Sequence, residues 1–463
     1  MKLNSEFASA PDSGLEQGGL EQDRVLKGGW YTLWIMMLLI LVANVDRQVL
    51  VLAAQPISLT LGLSDGELGM VQGLAVGIFA ILAVYPIAWA ADRFDRRLVF
   101  GICVLTWSLG TAACGLAQNF EQLLGSAILI AAGEAGLTPI GVAFVPALFK
   151  GRKRQLANSV SYFFIYLGIA AGLVLSGGAL ALIDQVHSGL PASMQSFEAW
   201  RLAFFLVALP TPIFLILLAF TKLHYRSDAP DAVRREAPRH NLLPFVKRHR
   251  RAVAAVFMGT GLYTLGIGSY MVWLPVAATR MFGTTPGQNG SLMGIATAVG
   301  LTAGVGIGTF FVRRMMVRHG AVASIRFFGM ALLAAIPVFV AFPFVTASWQ
   351  LFGLYGLLMV AYTAAGCAMP TIVQDMAPTD LRGRMSAVWT IVNVLLGGLS
   401  PALIGWLSTS MGPEPRMLIF AMGLIAIPAW IASAAAFRLA EKPFAELARA
   451  SNGDFATPEP RAI

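Results

Sequence analysis

Twelve long stretches of this 463-residue chain are almost free of charge. A bilayer core of about 30 Å takes about 20 apolar residues as a helix, so each stretch is long enough to cross it. They lie at about 31–55, 66–91, 98–117, 122–149, 157–183, 199–222, 252–279, 288–312, 322–345, 349–376, 385–409 and 415–438, numbered here as spans 1 to 12. None alternates apolar and polar residues with period two, which excludes a β-barrel. Composition leads to the same place. Hydrophobic residues make up 57% and charged residues 12%, where ordinary globular chains carry about 25% charged. So little charge does not cover a water-facing surface, and so much apolar content excludes intrinsic disorder.

The basic residues are sorted by side. Of the 33 lysines and arginines, only Arg201, Arg280 and Arg416 fall in loops of one face, and Arg47 lies inside span 1. All others sit in the tails and in the loops of the opposite face with their flanks, as expected for cytoplasmic segments. Both termini are therefore expected in the cytoplasm, with the protein in the plasma (inner) membrane. The net charge of +9 is spread over these loops and forms no single nucleic-acid-binding patch. The polar residues 1–29 and the long first span do not read as a signal peptide, so this segment is expected to be retained. Cys103, Cys114 and Cys367 all lie within spans and read as small buried hydrophobes. The five histidines fall in loops or at span ends. There is no Gly-Lys dipeptide, hence no P-loop, and no HExxH or GxSxG. Neither an enzyme, a metal site nor a cofactor is expected.

The two halves look duplicated. Ser64-Asp-Gly-Glu67 opens span 2 as a capping box, and Thr285-Pro-Gly-Gln288 opens span 8 in the same way. Gly69 and Gly73 recur as Gly290 and Gly294 at the same offset, Arg154-Gln-Leu-Ala157 recurs as Arg384-Met-Ser-Ala387, and Pro56 has a counterpart in Pro275. Two parallel six-helix repeats are a plan of secondary transporters. The expected division is a cytoplasmic tail over 1–29, a six-helix bundle over 30–222, a cytoplasmic linker over 223–250, a second bundle over 251–438 and a tail over 439–463.

Between spans 2 and 3 stands Ala88-Trp-Ala-Ala-Asp92-Arg93-Phe-Asp95-Arg96-Arg97. This segment resembles the signature loop of the major facilitator superfamily, G-x-L-a-D-r-x-G-r-[RK], with Ala88 and Asp95 in place of two glycines. Its repeat after span 8, Gly308-Thr-Phe-Phe-Val-Arg313-Arg314, lacks the acid. Further matches resemble the Spinster-like branch of that superfamily: Asn44-Val-Asp46-Arg47-Gln, Leu63-Ser-Asp-Gly-Glu-Leu-Gly69, Trp107-Ser-Leu-Gly-Thr111, Gly133-Glu134-Ala135 with Pro139, and the Arg154-x-x-Ala157 entry to span 5. The resemblance implies an all-α fold of twelve transmembrane helices in two pseudo-symmetric six-helix bundles. It also implies alternating access and proton-linked movement of lipids such as lysophospholipids or sphingoid phosphates. Span 5 carries Gly168, Gly172, Gly177 and Gly178, but Leu173 stands where the superfamily's antiporter motif has a proline.

Charge inside the membrane costs about 2.5–3.5 kcal/mol per residue, so each instance is a functional candidate. Asp46, Arg47 and Glu134 sit deep. Asp46 and Arg47 lie ~23 Å from the cytoplasmic end of span 1 and Glu134 ~18 Å from the exterior end of span 4, at 1.5 Å per residue. Neighbours on a helix point about 100° apart, so Arg47 is expected to face Glu134 across a central cavity, with Asp46 in support. A carboxylate that meets a guanidinium in one state and apolar surroundings in another would take up and release a proton. The Arg47 fork also suits phosphate or carboxylate, so an anionic substrate could displace Glu134 from it. Asn393, Tyr162, Tyr166, Trp273 and Trp389 are further candidates for the substrate cavity. Asp92, Arg93, Arg96 and Arg97, with Asp375 pairing to Arg313 or Arg314, are candidates for a cytoplasmic gate.

The expected function is a proton-coupled secondary transporter of an anionic amphiphile. The alternatives are a proton-coupled transporter of small organic anions or drugs, and a transporter-like receptor. The expected partners are that substrate, protons and membrane lipids, with the chain acting as a monomer and without nucleic acid.

Overall fold

Glycine and proline subdivide what hydropathy alone reads as continuous spans. In the computed structural model, span 1 is helix Gly29–Leu52, followed by Ala54–Leu61 with Pro56 in its first turn. Span 2 is broken at Gly73 into Asp65–Gln72 and Leu74–Arg93. Span 6 is broken before Pro210 into Ala199–Ala208 and Thr211–Ala219. The remaining spans are Arg96–Leu116, Phe120–Glu134 for the first part of span 4, Gly151–Val186, Arg250–Phe282, Pro286–His319, Val322–Ala341, Ser348–Gly366, Arg382–Met411 and Pro415–Gly453. The structure describes residues 25–137, 145, 148–222, 242–320, 322–369, 372, 376 and 381–453. Among these, ten helices are long and apolar enough to cross a membrane, and the chain is a multi-pass membrane protein with a twelve-span, two-bundle fold.

Span 12 continues well past the expected boundary at 438, to Gly453. The extension holds because it is amphipathic. Phe444 and Leu447 are buried, and Glu441 accepts from Arg326 of span 9 at 2.9 Å. Both capping boxes form: the Ser64 hydroxyl accepts from the Glu67 amide while Glu67 accepts from the Ser64 amide, and Thr285 and Gln288 do the same. Each box satisfies helix N–H groups that have no partner within their own helix.

Each bundle has its own core. In the first, spans 1 and 5 pack together, as do spans 3 and 4, around buried Phe100, Trp107 and Phe204. Arg201 at the start of span 6 donates to the carbonyls of Gly115 and Ala117, which end span 3. A cation there complements the negative end of the helix dipole. In the second bundle, spans 7 and 12 pack around stacked Tyr263, Tyr362 and Trp430, with Tyr263 ring centroids 4.9 Å from Tyr362 and 5.8 Å from Trp430.

The bundles meet along two seams, span 5 on span 8 and span 2 on span 11. Glycines make both possible. A Cβ on Gly290 would lie 2.7 Å from the Gly177 Cα, and one on Gly69 would strike the Pro401 carbonyl. The duplicated small-residue pairs are thus the surfaces by which the halves touch. Both seams lie in the half of the molecule away from the basic loops, here termed the far face.

Candidate functional site

Span 1 places Arg47 and span 4 places Glu134 so that Arg47 donates to the Glu134 carboxylate. The pair is asymmetric. The Arg47 side chain is 63% exposed and that of Glu134 only 7%. The arginine therefore opens onto solvent-accessible space inside a membrane helix, while the carboxylate is held in the packing behind it. Glu134 is the last residue of its described helix, and one oxygen, Oε1, has no hydrogen-bond partner among the described residues. Asp46, one position before Arg47, turns the other way and is 1% exposed. Thr111 of span 3 and Glu134 are its polar neighbours. Its Oδ1 also lacks a partner among the described residues. The Arg47 guanidinium thus pairs with one of two buried carboxylates, Glu134, and not with Asp46.

The other expected cavity residues divide. Asn393 donates to Thr260 Oγ1 at 3.2 Å, and the Trp389 indole donates to the same hydroxyl at 3.1 Å. Both side chains are half-buried on span 11, tied to span 7. Trp273 is fully buried, and its indole N–H donates to the Pro401 carbonyl at 3.1 Å. That bond ties span 7 to span 11. The spacing of Trp273 could not separate packing from lining, since aromatics at helical period serve both. Tyr162 and Tyr166 fall on the span 5 helix, but their side chains lie outside the described residues.

In the span 2–3 loop, Asp95 caps the span 3 helix through the Arg97 amide at 2.8 Å and pairs with the Arg97 side chain at 3.0 Å. Arg97 also donates to the Ala219 carbonyl at the end of span 6, at 3.0 Å. Arg93 lies 4.2 Å from the centroid of the Trp89 ring, a cation–π contact. Arg96 donates to the Ala91 carbonyl. These contacts stay within the first bundle. The Asp92 side chain and Asp375 lie outside the described residues. Asp95, which departs from the family loop, thus serves as a helix cap and an ion-pair partner in the position of a glycine.

One cluster was missed by sequence reasoning. Arg280, near the end of span 7, donates to both carboxylate oxygens of Asp65 at 2.6 and 2.8 Å and to Gln55 Oε1 at 2.7 Å. Ser408 of span 11 donates to the same Asp65 at 3.0 Å. The cluster joins spans 1 and 2 to spans 7 and 11 at the far face. Its one signal was that Arg280 is among the few basic residues of that face. Asp65 gave none beyond its place in a helix first turn.

The chain has counterparts among known proteins. An MFS-type efflux pump from Mycolicibacterium smegmatis is 28% identical over 90% of this chain and 96% of its own length. A putative tartrate transporter from Agrobacterium vitis is 24% identical over 85% of this chain and 90% of its own length. Protein spinster homolog 3 of Danio rerio is 29% identical over 24% of this chain and 22% of its own. Among solved structures, a bacterial homolog of the human lysosomal transporter Spinster, in an inward-facing and occupied conformation, superposes with a TM-score of 0.73 at 21% identity, over 93% of this chain and 99% of that one. The family model of the Major Facilitator Superfamily matches residues 36–401, which take in the first bundle from span 1 onwards, the second as far as span 11 and every residue of the central charged cluster, and the chain belongs to that superfamily of membrane transporters.

Proposed function

We propose that this transporter works by alternating access, couples movement to protons, and carries an anionic amphiphile such as a lysophospholipid or a sphingoid phosphate. The observation that carries the reading is the asymmetric Arg47–Glu134 pair, an exposed guanidinium over a buried carboxylate. A phosphate or carboxylate headgroup arriving at Arg47 competes with Glu134 for the same fork. Once released, Glu134 sits among apolar neighbours beside Asp46, where taking a proton removes a buried charge. Loss of the substrate returns Arg47 to Glu134 and expels the proton. Substrate and proton are thereby exchanged at one point. Asn393 and Trp389 supply the second bundle's contribution, and a lining with one deep arginine and little other charge suits an amphiphile.

The far-face seams and the Asp65–Arg280 pair support a state closed at that face and open towards the basic loops. With the basic loops in the cytoplasm, this is an inward-open state. Asp92, Arg93, Arg96, Arg97 and Asp375 are assigned to the cytoplasmic gate that forms when the basic face closes. A second reading, a small organic anion, draws on the putative tartrate transporter among the relatives. The Arg47 fork serves a carboxylate equally well.

The test is flux of labelled lysophospholipid into proteoliposomes under an imposed pH gradient, with wild type beside Glu134→Gln. Gradient-driven flux that is lost in the variant supports the substrate class and the proton role together. Absence of flux in folded wild type, with tartrate carried instead, replaces the amphiphile by an organic acid.

A further inference from the structure

The second bundle is short of acid. From Ala237 through Gln374 the chain contains no Asp or Glu, although this stretch includes all of spans 7 to 9. Its arginines therefore find counter-charges elsewhere. Arg280 pairs with Asp65 of the first bundle and Arg326 with Glu441 of span 12. Arg313, Arg314 and Arg318 pair with no carboxylate among the described residues.

Beside span 8 lies a groove of about 850 Å³ whose described lining all comes from that one helix, the three arginines with Val305, Thr309 and Phe310 among it. Val305, Thr309, Phe310 and Arg313 lie on the side of span 8 away from Gly300, Gly304 and Gly308, which pack against span 10. The groove's chemistry is layered along the helix. Span 8 starts at Pro286 at the far face. At 1.5 Å per residue, Val305 lies ~29 Å along the helix and Arg313 ~41 Å. A hydrocarbon core of about 30 Å therefore ends near the apolar part of the groove, and the guanidinium groups stand at headgroup level. Phe310 is 61% and Val317 88% exposed, so the apolar floor faces outward, uncovered by the described side chains.

We infer that this groove is a binding site for the headgroup of an anionic phospholipid of the basic-face leaflet. The arginines hold the phosphate, and Val305 and Phe310 meet the start of an acyl chain. Guanidinium forks match phosphate oxygens in pairs. Clusters of basic side chains at this level of the membrane attract such headgroups. The apolar floor selects a lipid over a free anion. This site is separate from the central charged pair and does not rest on what the transporter carries.

The experiment uses the full-length protein in detergent, titrated with dioleoyl phosphatidylglycerol or dioleoyl phosphatidylcholine and read by native mass spectrometry. Wild type is expected to retain phosphatidylglycerol preferentially. The triple variant R313Q/R314Q/R318Q is expected to lose that preference, with retention reduced about tenfold, and R416Q at the far face to keep it. If the triple variant does not fold, the three single substitutions carry the test, each lowering retention. Unchanged retention in the arginine variants overturns the site. So does a preference lost only in R47Q, which would place the lipid in the central cavity. Displacement of the lipid by millimolar inorganic phosphate would assign the arginines to a soluble anion and overturn the lipid.

Discussion

Arg280 of span 7 donates two hydrogen bonds to the carboxylate of Asp65, 215 residues away, and both side chains are mostly shielded from solvent. The geometry is fork to fork, the strongest arrangement open to this pair. Ser408 and Gln55 occupy further positions around the two groups, so the latch draws on four spans from two bundles. Opening the far face requires all of these bonds to separate. In the proposed alternating-access cycle the latch therefore sets part of the equilibrium between the two access states.

Removing it has a signed consequence. A hydrogen bond to a charged group contributes about 1.5–3 kcal/mol net. Arg280→Gln is thus expected to shift the population by roughly ten- to a hundredfold towards far-face opening. Spin labels in the loops after spans 1 and 7 measure this as a longer distance distribution. The swapped pair Asp65→Arg with Arg280→Asp is expected to restore most of the short distance. Unchanged distances in the single variant would mean that the glycine seams alone hold the face closed.

The seams offer an independent handle. At Gly290 even a methyl group would lie against Gly177, and at Gly69 against the Pro401 carbonyl. Gly290→Val is expected to wedge spans 5 and 8 apart, with an overpacking cost of about 1–3 kcal/mol in the closed state only. Transport should fall by about tenfold or more while expression and helix content hold. Far-face cysteine labelling should rise. A variant that transports normally would show that the seam can open without cost.

How much of this could be read from sequence depended on scarcity. The Arg47–Glu134 pair stood out because charge inside a membrane helix is rare, and helix geometry then placed the two at overlapping depths. The capping boxes were readable because their residues are three apart and local. The latch was not. Asp65 already had a local explanation in its helix's first turn, and Arg280 lay at a span end where charge is ordinary. Only the meeting of spans 2 and 7, 215 residues apart, makes them partners. The span 12 extension escaped because an amphipathic helix beyond the membrane lowers hydropathy without ending the helix.

The two tryptophans expected in the cavity should separate by experiment. Trp273→Phe leaves the buried Pro401 carbonyl without its indole donor, at a cost of about 1–3 kcal/mol. The expected result is a lower unfolding midpoint with an unchanged KM. Trp389→Phe keeps the ring but frees Thr260 Oγ1 from the indole, leaving Asn393 on it at 3.2 Å. Its expected result is the reverse, a KM raised several-fold with the midpoint little moved. Thermal unfolding and concentration-dependent flux measured on both variants check the contrast.

The central pair can be divided by what each side chain retains. Arg47→Lys keeps the charge and loses the planar fork, so a substrate held by paired oxygens should bind about tenfold more weakly. Proton dependence should survive, because Glu134 still has a cation to release and regain. Glu134→Gln does the opposite. It frees the Arg47 fork from its carboxylate, so equilibrium binding of an anionic substrate should be kept or strengthened, while accumulation against a gradient is lost. Binding measured by calorimetry and flux measured with and without a pH gradient separate the two effects. A Glu134→Gln protein that still accumulates substrate only when a pH gradient is imposed would move the proton site to Asp46, the remaining buried carboxylate beside Arg47, and leave Glu134 as a positioning partner of the arginine.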